Sequence, residues 1–132
     1  MNLDASAMYG GTDTAPSPMD LLIIGLSGCT GIVMTIAMEQ LGIELDSLEV
    51  FANGDRAEQD PGEYSKMCVQ FDARGNGITH EIMQKAIIEF VIPKAPVLCT
   101  LGKSCTICIG YLLDGNAYQY IPESNSFSEL KN

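Results

Sequence analysis

Between Leu21 and Met38 the chain runs for 18 residues without a single charge. No other stretch limits the possible folds as strongly. The length is the lower edge of what can span a bilayer. Against a membrane span, Asp20 and Glu39 flank the run, no Lys or Arg anchors either end, and Ser27, Thr30 and Thr35 interrupt it. A helix that is apolar all round can equally be the buried centre of a soluble protein, which is the expectation here. Ser17 can cap the free N–H groups at its start, Pro18 suits the first helical position, and Gly42 supplies a stop. A helix over Ser17–Leu41 is thus predicted, a rod of roughly 36 Å. Gly25, Gly28 and Gly31 recur every three residues along it, which predicts a very close approach by a neighbouring backbone.

A chain of 132 residues forms one domain, over 1–132, with a small core. The remaining elements follow from periodicity and turn residues. Ser47–Ala52 alternates as a strand, and Met67, Val69 and Phe71 alternate with Cys68, Gln70 and Asp72 as a second. Thr79 caps a helix with the apolar face Ile82, Ala86, Ile87 and Phe90, ending at Pro93. A short helical segment follows from Pro96 to Leu101, then a strand over Ser104–Leu113. Asp114-Gly115-Asn116 turns into an edge strand, Ala117–Ile121, and residues 122–132 read as a loose polar tail. The order is that of an α+β domain with an antiparallel sheet. Three or four strands cannot bury a helix apolar on every side, so a second subunit, in a homodimer, is expected to cover it.

Charge narrows the partners. With 7 Lys+Arg against 17 Asp+Glu, the net charge is −10. Nucleic acid and anionic membranes are bound through clustered Lys and Arg, so neither is expected as a partner. The five cysteines, Cys29, Cys68, Cys99, Cys105 and Cys108, are odd in number, stand in apolar settings and follow no basic-then-apolar leader. Reduced thiols in a cytoplasmic protein are the expectation. Cys105 and Cys108 are the one close pair, His80 is far away in sequence, and neither a metal site nor a cofactor is expected. The odd spacing of Cys105 and Cys108 in a strand sends them to opposite faces, which argues against a redox pair. His80, beside the cap Thr79, reads as a solvated residue without chemistry.

Gly10-Gly11, Ala15-Pro16-Ser17-Pro18-Met19-Asp20-Leu21-Leu22 and Gly25-Leu26-Ser27-Gly28-Cys29-Thr30 together resemble the central-helix signature of the OsmC/Ohr family. The likeness continues through Leu45–Val50 and Ile82–Phe90, and closes with Ala95-Pro96-Val97 and Leu101-Gly102-Lys103. It covers about residues 10–113. The resemblance implies an intertwined homodimer around long central helices, and thiol-dependent reduction of organic hydroperoxides by two cysteines assisted by an arginine and a glutamate. Cys29 falls on the peroxidatic cysteine. Ala95 occupies the position of the second cysteine, and Met19 that of the glutamate, with Asp20 as a possible assisting acid one residue on. The family's arginine comes from N-terminal strands, and this chain is expected to start after them; Arg56 and Arg74 lie elsewhere.

Two readings of Cys29 stand side by side. A peroxide-reducing cysteine reacts as the thiolate, yet Cys29 lies midway along its helix, beyond useful reach of the N-terminal dipole. It is therefore either the nucleophile that the resemblance implies or a packed core cysteine. Cys99, four residues after Ala95, shares a helical face with it and is a candidate resolving thiol, the alternative being an external thiol reductant. The second function class is an OsmC-fold dimer without the chemistry, binding a small apolar ligand or sensing redox state.

Overall fold

The structure, a computed structural model, describes residues 1–131. Helix α1 (Pro18–Gln40) begins with a reciprocal cap: the Asp20 N–H donates to Ser17 Oγ at 3.1 Å, and the Ser17 N–H donates to Asp20 Oδ2 at 2.9 Å. It ends in a Schellman turn. Gly42 takes φ +78°, its N–H reaches the Glu39 carbonyl, and the Ile43 N–H reaches that of Met38 at 2.8 Å. By length and composition α1 is apolar enough to cross a membrane. It is buried on one side only. Leu26, Thr30, Met34, Ala37 and Met38 are fully buried, while Leu22, Ile24, Ile32 and Ile36 are exposed.

The long hairpin β1 (Leu45–Arg56) and β2 (Tyr64–Gly75) is antiparallel. Both strands outrun the alternating stretches that mark them in the sequence. Met67, Val69, Phe71 and Ala73 of β2 face the helices and are buried. From β2 the chain crosses over through α2 (His80–Ala86), a wide π-helical turn (Ile87–Val91), α3 (Ile92–Lys94) and α4 (Pro96–Leu101). It returns as β3 (Thr106–Leu113), which lies parallel to β2. The sheet is therefore mixed, with order β1-β2-β3-β4-β5, and the expected antiparallel arrangement holds in three of its four pairings. Pro93 does not end the helix. Proline cannot donate to the carbonyl four residues back and its ring collides with it, and the π-helical turn just before it widens the helix at that point.

Strand β4 (Asn116–Ile121) pairs with β5 (Ser126–Leu130), so much of the segment expected to be a loose tail forms a second hairpin. In β5, Phe127 packs on Tyr111 and Tyr120 with ring centroids 5.5 and 5.4 Å apart. Helix α1 lies on β1 and β2 and is backed by the π-helical turn and α4. Of its three glycines, Gly31 alone is approached, by the Val50 side chain. A side chain at Gly25 or Gly28 would meet nothing within 4 Å. Within the single chain the neighbour at Gly31 is a side chain, and no other backbone closes on any of the three.

Candidate functional site

Cys29 occupies the border between the two sides of α1. Its neighbours one turn away are buried Leu26 and exposed Ile32, and the residue is half-buried against the core. Thr30, the next residue, is fully buried and donates its hydroxyl to the Leu26 carbonyl at 2.8 Å, so its polar group is satisfied within the helix. Ala95 is fully buried in the same core and forms the N-terminal cap residue of α4, a helix that packs on α1. Its extended backbone follows from the proline after it.

Cys99 sits one turn beyond Ala95, and its N–H donates to the Ala95 carbonyl at 3.0 Å. Its surroundings are different. Cys99 is exposed, and its thiol lies 3.7 Å from the Ile92 carbonyl. Sharing a helical face with Ala95 does not bring it into the core, because Ala95 stands at the mouth of the helix and Cys99 on its outer flank.

Asp20 is engaged in capping α1. Nine residues of one helix separate it from Cys29, about 13 Å along the axis. Within one protomer its carboxylate acts on that thiol only through an intermediary. The two arginines have other partners. Arg56 donates to the Gly62 carbonyl at 2.7 Å and stacks over Tyr9, and Arg74 pairs with Asp72 at 3.2 Å. Met19, where the glutamate would fall, lines an apolar cavity of about 330 Å³ with Leu22, Tyr64, Met67, Leu101 and Cys105. The Tyr64 hydroxyl crosses to the Met19 carbonyl at 3.0 Å. Burial, and after it the charge of Asp20, push the Tyr64 phenol up.

Two groupings escape sequence reasoning. His80 is exposed, yet its Nδ1 lies 3.0 Å from the hydroxyl of fully buried Tyr111, which also accepts from Gln84 Nε2 at 3.0 Å. Burial raises the Tyr111 phenol above its ordinary value. Cys68 meets Cys108 across the parallel strands, while Cys105, outside β3, turns its thiol to the Leu101 carbonyl at 3.3 Å. The spacing of Cys105 and Cys108 hints at their separation, but nothing local predicts the pairing with Cys68. Among the described residues, no group of three or more His, Cys, Asp or Glu side chains is placed to hold a metal ion.

A mixed five-stranded sheet carrying one long helix, with a cysteine at the border of that helix, defines an α+β protein of the OsmC type. The chain belongs to the OsmC-like protein family, whose sequence pattern matches residues 11–109. A search of curated proteins found no match. Among solved structures, an OsmC-like protein from Mycoplasma pneumoniae is similar at 17% identity and a TM-score of 0.72, covering 84% of this chain and 79% of that one. An organic hydroperoxide resistance protein OsmC from Legionella pneumophila shares 13% identity with a TM-score of 0.67, covering 86% and 81%. An organic hydroperoxide resistance protein from Elizabethkingia anophelis shares 17% identity with a TM-score of 0.67, covering 81% and 76%. At these identities the likeness establishes the fold.

Proposed function

We propose that this protein is a thiol-dependent peroxidase of organic hydroperoxides, with Cys29 as the attacking sulfur. The observation that carries the reading is Cys29 itself, half-buried at the edge of the central helix within the stretch that matches the family. Its thiolate attacks the terminal peroxide oxygen, the O–O bond breaks, and the alcohol leaves after taking up a proton. The cysteine is left as a sulfenic acid, which a second thiol converts to a disulfide with loss of water. Ala95 offers no thiol for this step and Cys99 faces solvent, so an external thiol takes the principal resolving role. The reading includes a cytoplasmic homodimer, in which the stripe Ile24, Gly28, Ile32 and Ile36 of one α1 rests on that of its partner. These positions follow one another at four-residue intervals, and the glycine leaves room for a facing side chain.

The test is consumption of cumene hydroperoxide by the purified protein with a dithiol reductant, repeated on Cys29→Ser. Loss of turnover in the variant supports the reading, and equal consumption by both defeats it. The apolar cavity at Met19 favours a second reading, a dimer that binds a small apolar ligand without turning it over. An inert wild type that still binds an apolar fluorophore there would favour it.

A further inference from the structure

The one parallel pairing in the sheet aligns two cysteines. Cys68 of β2 stands opposite Cys108 of β3. Paired positions on neighbouring strands leave the same face, about 4.8 Å apart. That spacing falls inside the roughly 4.4–6.8 Å of Cα separation that a disulfide bridges. The alternation of β2 shows which face this is. Met67, Val69 and Phe71 are buried under the helices, so Cys68 and Cys108 point the other way. Cys68 has the company there of Lys66, Gln70 and Asp72, which is not the setting of a core cysteine. Both cysteines are free and half-buried, and both line one cleft of about 180 Å³ with Asn53, Gln70 and Gln119.

We infer that Cys68 and Cys108 form a redox-active dithiol, a sulfur centre separate from Cys29, that closes by exchange with a low-molecular-weight disulfide such as oxidised glutathione. The Cys108 thiolate attacks one sulfur of the small disulfide, whose S–S bond breaks, and one small thiol leaves carrying a proton. Cys68 then gives its proton to water, and its sulfur displaces the second small thiol from Cys108. Two cysteine thiols have lost two electrons and two protons, and one small disulfide has become two thiols. Burial, and after it the adjoining Cys108 thiol, hold Cys68 above the ordinary cysteine range. Cys68 is therefore the slower to attack, and the first attack is assigned to Cys108. The strand spacing is shorter than the roughly 5.5–6 Å at which a relaxed disulfide sits, so the closed bond is strained and readily reduced again.

The full chain is equilibrated with mixtures of reduced and oxidised glutathione, alkylated, digested with trypsin and mapped by mass spectrometry. Cleavage after Lys66, Arg74 and Lys103 isolates Cys68 from the other thiols. Cys105 and Cys108 share a peptide and are told apart by fragmentation between them. A Cys68–Cys108 cross-link, two hydrogens lighter than the reduced pair, is expected at a lower oxidised fraction than any other pairing, and equally in Cys29→Ser. Cys68→Ser should trap several-fold more glutathione on Cys108 than Cys108→Ser traps on Cys68. Absence of the cross-link at every ratio, mixed disulfides spread evenly over all five cysteines, or its disappearance in Cys29→Ser would each overturn the inference.

Discussion

Replacing Ile32 with glutamate should convert the proposed dimer into monomers. Ile32 is the most exposed aliphatic side chain of α1, at 65% in the single chain. Fully burying an isoleucine contributes about 1.5–3 kcal/mol, so covering its exposed 65% contributes about 1–2 kcal/mol. A two-fold interface uses the residue twice, which gives about 2–4 kcal/mol, or roughly 30- to 1,000-fold in dissociation constant. The substitution forfeits that term and also asks two carboxylates to leave water at several kcal/mol each, so the full effect exceeds about 1,000-fold. Because Ile32 already faces away from the protomer's own core, the fold should survive and circular dichroism should be unchanged. Sedimentation velocity over a micromolar dilution series reads the mass directly. A wild type that is monomeric throughout, or a variant that dimerises as tightly as wild type, would refute the reasoning. A Gln59→Glu control, on the exposed loop between β1 and β2, should leave the mass untouched.

Ala95→Cys should raise peroxide turnover with a dithiol and yield a disulfide to Cys29; if Cys99 already resolves Cys29, turnover should change little while Cys99→Ser abolishes cycling. Thr30→Val should alter stability by less than about 1 kcal/mol in urea unfolding, because the lost hydroxyl bonds only to helix carbonyls that keep their backbone donors. Tyr111→Phe should cost about 1 kcal/mol, as the lost hydroxyl had two partners, both able to turn to water. The same tyrosine sets an alkaline limit: its folded value is raised, so its contribution is complete below the ordinary phenol value near 10 and is lost as pH climbs through the raised value. Wild type should accordingly lose stability above about pH 10, and Tyr111→Phe should lose less over the same window.

Helix α1 was legible in the sequence because its limits are local chemistry: Ser17 and Asp20 cap each other and Gly42 adopts a left-handed turn. Strand β2 was equally plain, its alternation matching its burial residue by residue. Strand β5 was not, since Ser126–Leu130 has only Phe127 to pack and gains its place by pairing with β4. Pro93 misled because a wide turn accommodates it, an adjustment of the backbone that composition does not announce. At the candidate site, Cys29 was singled out by resemblance to a family and Ala95 by its neighbours Pro96 and Val97. The difference in environment between Ala95 and Cys99 depends on where a short helix begins relative to the core. The meeting of Cys68 with Cys108 depends on a crossover of four helical segments whose geometry sets the register.

That crossover divides the sheet's assembly in two. Strands β1 and β2 join through one short connection, and β3, β4 and β5 join through two, so each group can form from contacts close in sequence. Only the seam between β2 and β3 must wait for a distant part of the chain, and it closes against the chain entropy of the helical segments strung between its ends. The domain is thus two quickly built halves held along one late joint. Amides along that joint, such as those of Val69 and Ile109, should exchange with solvent only when the whole molecule opens. The Cys68–Cys108 pair lies across this joint, where oxidation would latch the halves together.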